Sequence, residues 1–228
     1  MLLKNLIKFS SKKYNKLNIK GLAINSKKVK KGFIFFAIKG NQFNGEKYIN
    51  EAIAKGAVVI ICSNSCNFKS NKIHIFKTKN IRNFLSEIAS KFYKLKPKNI
   101  IAVTGTNGKT SVADFFYQIL NINNIPASSI GTLGIKYKSR IIKNNLTCPD
   151  TITLHKNLEK LKKNDINNVI IEASSHGLDQ SRLDHINFKA AIFTNFSQDH
   201  LDYHKTMKAY LNAKLILFSK LLLRNKYI

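Results

Sequence analysis

Apolar residues fall into short unbroken runs and helical stripes that take turns along the chain. Residues 33–38 form an apolar run entered through Gly32 and left at Gly40, which predicts a buried strand. Ile49, Ala52 and Ile53 then keep a helical spacing that stops at Gly56, and residues 57–61 form a second strand. Ile81, Phe84, Leu85, Ile88, Ala89 and Phe92 mark one face of an amphipathic helix. Residues 94–98, Lys-Leu-Lys-Pro-Lys, break the pattern and read as a link. Beyond it come a strand over 99–104, a glycine turn and a helix starting near Lys109. Residues 169–171 and 190–193 are further buried strands, with helical patterns between and after them, including 206–223.

Alternating strands and helices predict an α/β fold with a largely parallel sheet. The division expected is a small α/β domain over 1–95 and a second, mostly parallel-sheet domain over 96–228. Only three strands are legible in the second, so its sheet is expected to be unfinished and to end on an unpaired edge. The lysine-bearing start, residues 1–8, reads as a first helix and not a signal peptide, because it lacks a sustained apolar stretch and a small-residue cleavage site. No run of 18 apolar residues occurs, which argues against a membrane span.

Charge changes the picture more than size does. Lys and Arg number 39 against 12 Asp and Glu, a formal net charge of +27. Basic surface attracts polyanions, so a cationic nucleic-acid binder is one function class. The excess is Lys and not Arg, accompanies abundant Asn and Ile, and is scattered through every element. That is the pattern of an A/T-rich coding bias and not of a binding stripe, and no specific nucleic acid is expected. Cys62, Cys66 and Cys148 form no CxxC pair, which predicts reduced thiols and a cytoplasmic setting.

The strongest chemical signal is Val103-Thr104-Gly105-Thr106-Asn107-Gly108-Lys109-Thr110 between a strand and a helix. Gly105 and Gly108 allow a tight turn whose N–H groups can face phosphate oxygens. Lys109 can reach terminal phosphates, and the Thr110 hydroxyl can ligate Mg²⁺. Val103 stands where the usual pattern has glycine. Phosphoryl transfer also needs a carboxylate and a metal. Glu172 ends one predicted strand and His200 follows another, at the strand ends where α/β sheets bind ligands. Arg182 is either a surface residue or the partner of a substrate carboxylate.

These residues resemble the Mur ligase family. Gly105 to Thr110 is that family's form of the phosphate loop, in which Val103 is normal. The runs Glu172-Ala173-Ser174-Ser175-His176-Gly177 through Arg182, and Asn195-Phe196-Ser197-Gln198-Asp199-His200 through His204, resemble its branch that adds the third peptide residue. The resemblance extends over nearly all of the chain from Gly21. It implies ATP on Gly105, Thr106, Asn107, Gly108, Lys109 and Thr110, and Mg²⁺ on Thr110, Glu172, His200 and a carbamate of Lys214. It implies catalytic roles for Lys109, Glu172, His200 and Lys214. It places UDP-N-acetylmuramoyl-L-alanyl-D-glutamate on Ile24, Ser26, Asn41, Gln42 and Phe43 and on Thr147, Cys148, Ser174, Gln180 and Arg182. The first domain is then a uridine-nucleotide domain and the second a truncated ATP-binding domain.

Asn25, Lys27 and Cys148 depart from the family's usual Asp, Arg and Thr. The family also has further central strands and a C-terminal domain, expected here to be absent or separately encoded. The implied reaction joins a diamino acid, diaminopimelate or lysine, to the D-glutamate carboxylate through an acyl phosphate. The alternatives are a catalytically inactive nucleotide-binding fragment and the nucleic-acid binder.

Overall fold

A computed structural model describes residues 1–7, 14–40, 43–143 and 146–227, the last five as backbone only. The chain divides into two compact units, Met1–Phe92 and Tyr93–Ile228.

The first unit carries four parallel strands in the order β1 (Gly21–Ala23), β2 (Phe33–Phe36), β3 (Ala57–Ser63) and β4 (His74–Thr78). β2 and β3 are nearly all apolar because a parallel strand between neighbours is covered on both faces. They pair from Ile34 on Val59 to Phe36 on Ile61. Helix α1 (Ile49–Ala54) buries Ile49 and Ala52 and is followed by Gly56 at φ +94, a left-handed turn that glycine adopts without cost. Helix α2 (Ile81–Phe92) buries Leu85, Ile88 and Ala89, the i, i+3, i+4 stripe. β1 and β4 are additions to the sequence reading. β1 has three residues, and β4 is only half-buried, so neither leaves a clear pattern.

The expected first helix is seen only as a 3-10 turn, Leu3–Asn5. The Met1 ammonium donates to Asn18 Oδ1 and Ile19 O, and Leu2 bridges Asn18. This start of the chain is therefore pinned alongside another segment, in place of a free helical N-terminus.

The second unit is a seven-stranded sheet. Its strands are β5 (Asn99–Thr104), β6 (Ala127–Gly131), β7 (Gly134–Tyr137), β8 (Arg140–Ile142), β9 (Asn168–Glu172), β10 (Phe188–Phe193) and β11 (Leu222–Tyr227). Their order is β11-β10-β5-β9-β6-β7-β8, parallel except for the β6-β7-β8 meander. The helices are α3 (Lys109–Ile122), α4 (Thr151–Lys163), α5 (Ser175–Asp179), α6 (Leu201–His204) and α7 (Met207–Ile216). On one face Leu154, Leu158 and Leu161 of α4 pack with Ile100, Ala102, Val169, Ile171 and Phe188. On the other, Ala113 of α3 meets Val103 and Ile170.

Two expectations are corrected here. The sheet has seven strands and not three, and the edge expected at the last strand falls on β11, which pairs only with β10. The helix foreseen over 206–223 ends at Ile216, runs through a π-helical turn (Leu217–Leu221) and becomes β11. Apolar periodicity cannot separate a helix end from a short buried strand.

Candidate active site

The register of the sheet builds the site. Val103 pairs with Glu172, Phe193 with Thr104 and Ile130 with Ile171, so β5, β9, β10 and β6 end side by side. The loops after them share one rim, the ligand-binding rim of open α/β sheets.

The phosphate loop leaves β5 and enters α3. Gly105 has φ +145, and a Cβ there would lie 1.9 Å from Thr194 Oγ1. Only glycine fits, because the loop after β10 is clamped against it. The Thr194 hydroxyl donates to Asn107 O, and Asn195 accepts from the amides of Thr106 and Asn107. The Thr106 hydroxyl donates to Ser197 O and accepts from Ser197 N and Tyr210 Oη. Thr106 and Asn107 therefore serve as clamps between loops. The N-terminal turn of α3, whose first amides have no intrahelical partner, is left to face an anion. Lys109 Nζ lies over the loop, donating to Gly105 O and Thr106 O at 2.8 and 2.7 Å. Burial lowers its pKa, against the opposing pull of Glu172 and Asp199.

Glu172, 2% exposed, is held from three sides. Thr110 Oγ1 donates to Oε2 at 2.9 Å, Thr132 N to Oε1 at 2.9 Å and Thr132 Oγ1 to Oε2 at 3.2 Å. A Cβ on Gly131 would stand 1.9 Å from Oε1, so β6 must end in glycine for the carboxylate to lie across it. Lys109, Thr110, Thr132, Thr147, Glu172, Ser174, Ser175, His200, Tyr210 and Lys214 line one pocket of about 140 Å³. It brings together Lys109, Thr110, Glu172, His200 and Lys214, all expected together from the sequence, with Thr147 and Ser174.

The oxygens suit a hard cation. Mg²⁺ takes one or two protein carboxylates and completes its shell with phosphate and water. Glu172 with the Thr110 hydroxyl is such a donor set, and among the described residues no group of three or more His, Cys, Asp or Glu forms a closed metal cage. His200 sits at the rim in a left-handed conformation, φ 52. Lys214 is 1% exposed, donates to Gly105 O at 2.7 Å and lies 4.3 Å from the Tyr210 ring centre. Burial, reinforced by Lys109, lowers its pKa to about 8. As an ammonium Lys214 repels a metal, and only a carbamate would give it ligand oxygens.

The remaining expected residues lie elsewhere. Arg182 donates through Nε and Nη2 to Gln180 Oε1 and through Nη1 to Cys148 O. Cys148 thus contributes its carbonyl, while its thiol is buried, with a pKa pushed up to about 12. All three cysteines are free. In the first unit, Ile24 and Phe43 are exposed, whereas the buried Ser26 donates to Glu51 at 2.8 Å. Asn41 and Gln42 lie outside the described residues. Sequence reasoning missed Gly131, Thr132, Ser175 and Tyr210. The strand-end rule that found Glu172 would have found Gly131 and Thr132, had the Ser128-Ser129 pair not masked β6 as a strand.

A strand–loop–helix with an inward lysine, facing a strand-end carboxylate across a parallel sheet, defines a nucleotide-phosphate-binding α/β protein. Family profiles match on both units: the Mur ligase middle domain over residues 103–228 and the Mur ligase family catalytic domain over 18–93. The chain belongs to the Mur ligase family. It is 46% identical over 212 residues to the UDP-N-acetylmuramoyl-L-alanyl-D-glutamate–2,6-diaminopimelate ligase of Rickettsia conorii, covering 91% of this chain and 44% of the relative. The enzyme of that name from Zymomonas mobilis is 46% identical over 200 residues, covering 88% and 41%. A solved structure of a ligase of the same name superposes with TM-score 0.82 at 28% identity, covering 96% of this chain and 45% of that one. The chain thus spans less than half the length of these relatives. Among the described residues no helix is long and apolar enough to cross a membrane.

Proposed function

We propose that these 228 residues form the nucleotide- and precursor-binding part of an ATP-dependent cytoplasmic ligase of peptidoglycan precursor synthesis. It joins 2,6-diaminopimelate to the D-glutamate carboxylate of UDP-N-acetylmuramoyl-L-alanyl-D-glutamate. The observation that carries the reading is Glu172 and Thr110 meeting Lys109 and Lys214 in one pocket, in a chain 46% identical to ligases of that name. The relatives' names favour diaminopimelate over lysine.

In this reading the carboxylate of the precursor attacks the terminal phosphate of ATP, giving an acyl phosphate and ADP. The amine of diaminopimelate then attacks the acyl carbon, and phosphate leaves. Lys109 offsets negative charge on the transferring phosphoryl group, the main source of rate in such chemistry. Thr110 and Glu172 would hold Mg²⁺, which when bound would supply positive charge to offset that of the phosphates. His200 and a carbamate of Lys214 would complete that side of the pocket. Arg182 and Gln180, with Thr147 and Ser174, would hold the precursor, and Ile24, Ser26, Asn41, Gln42 and Phe43 its uridine end.

Titration of the chain with ATP and Mg²⁺ and, separately, with the precursor tests the reading. Binding of both is expected, and failure to bind either overturns it. The share of the relatives' length that is matched favours a second reading, in which the 228 residues bind both ligands without turnover. Phosphate release on adding diaminopimelate separates the two.

A further inference from the structure

A chain of hydrogen bonds runs from Asp179 to Cys148 and passes through a side chain outside the pocket. Tyr203 Oη donates to Asp179 Oδ2 at 2.7 Å and accepts from Gln180 Nε2 at 3.2 Å. Gln180 Oε1 accepts from Arg182 Nε and Nη2 at 3.2 and 2.7 Å, and Arg182 Nη1 donates to Cys148 O at 2.8 Å. The two ends fix the direction of every bond. A guanidinium only donates and a carboxylate only accepts, so the amide and the phenol between them have one consistent arrangement. Were the Gln180 amide reversed, its NH₂ would face the guanidinium N–H groups and its oxygen the phenol. The Tyr203 oxygen gives Gln180 Nε2 its acceptor and so keeps Oε1 on Arg182.

The ring that carries this hydroxyl is itself held. Tyr203 lies on the single-turn α6, between His200 and Lys205, both at positive φ. Its ring centre is 4.1 Å from that of His176 on α5. The loop that brings His200 to the pocket therefore also delivers the phenol to Gln180.

We propose that Tyr203 is a positioning residue for the precursor: by fixing the Gln180 amide it holds the Arg182 guanidinium in the pose that receives a substrate carboxylate. Of the five guanidinium hydrogens, three are engaged in the bonds above, leaving one on each terminal nitrogen for a carboxylate. A fork held before the ligand arrives loses less freedom on binding. The inference rests on the reading that Arg182 contacts the D-glutamyl part of the precursor.

The test is calorimetric titration of the 228-residue chain with UDP-N-acetylmuramoyl-L-alanyl-D-glutamate and with UDP-N-acetylmuramoyl-L-alanine, which lacks the glutamate. Tyr203→Phe keeps the ring on His176 and removes the hydroxyl. It is expected to weaken the dipeptide precursor about tenfold, the scale of one hydrogen bond to a charged group, and to leave the shorter ligand unaffected. Arg182→Ala is expected to lose at least as much, and the double variant no more than Arg182→Ala alone, because the two residues act as a unit. If Arg182→Ala binds the dipeptide precursor as the unaltered chain does, the carboxylate reading itself falls. If Arg182→Ala weakens binding while Tyr203→Phe does not, or their losses add in full, Tyr203 has no positioning role. Loss of a cooperative melt in Tyr203→Phe would assign Tyr203 to the fold and overturn the proposal as well.

Discussion

Single residues set the chemistry of the pocket, and three predictions belong at this scale. Lys109→Ala removes a charged donor from the phosphate loop and should weaken ATP–Mg²⁺ about ten- to hundredfold, the worth of a charge-assisted hydrogen bond. Equal affinity by titration would refute the phosphate-loop assignment. Gly131→Ala is a quieter test of Glu172. The added methyl would stand 1.9 Å from Oε1, so the carboxylate must swing off Thr132 and Thr110. The expected outcome is a folded chain whose ATP affinity no longer responds to Mg²⁺, read by titration with and without the metal. Lys214 offers a third. Its pKa of about 8 leaves roughly half the amine neutral near pH 8, and the neutral amine is the form that takes up CO₂. Intact mass in bicarbonate should show an added carboxylate that Lys214→Gln lacks.

At the scale of elements, stability should track how completely each strand is covered. Ile170 of β9 is fully buried under α3, whereas Ile101 of β5 on the same face is only half-buried. Ile170→Ala should cost about 3–4 kcal/mol and Ile101→Ala roughly half as much, measured by urea unfolding. α4 adds a pH dependence through His155, which is 0% exposed. Burial first, then the charges of Lys96 and His185, lower its pKa from 6.5 to about 3. Between those values the unfolded chain binds a proton that the folded chain refuses. Stability should therefore fall as pH drops below about 6.5 and level off near 3. His155→Gln should flatten that slope. Legibility in the sequence also follows elements. β2, β3 and β9 show as apolar runs because they are covered on both faces, β5 and β10 as apolar runs that are less completely covered, and α2 by its stripe. β4 is half-buried, β8 is exposed, β7 has four residues, β11 reads Arg-Asn-Lys after its two leucines, and β6 hides two buried serines. The phosphate loop, Glu172 and His200 were legible because strand ends and glycine turns leave local marks. Thr132 was hidden with the strand it follows, and Tyr210 and Tyr203 were not legible because their roles arise only when distant loops are brought together.

The molecule as a whole is governed by its charge. Few acidic partners are available to 39 Lys and Arg, and several ion pairs are i,i+4 helix pairs such as Lys55–Glu51, Lys91–Glu87 and Lys163–Glu159. Exposed pairs of this kind contribute only a few tenths of a kcal/mol each. A net charge of +27 must therefore work against the compact state through self-repulsion, and in favour of any polyanion. The two effects respond to salt in opposite senses. Raising ionic strength from about 20 to 300 mM shortens the screening length from tens of Å to below 10 Å. The melting temperature should rise with it as self-repulsion is screened. Binding to duplex DNA should fall steeply over the same range, because displaced counterions drive it. Unrelated DNA sequences should also bind alike, as contacts to phosphate alone require. Fluorescence anisotropy and thermal melts on one salt series read both quantities. If the lysines are a coding bias, DNA affinity should be lost near physiological salt while the melting temperature climbs. Sequence-specific binding that survives there would show that the basic surface has been shaped for nucleic acid.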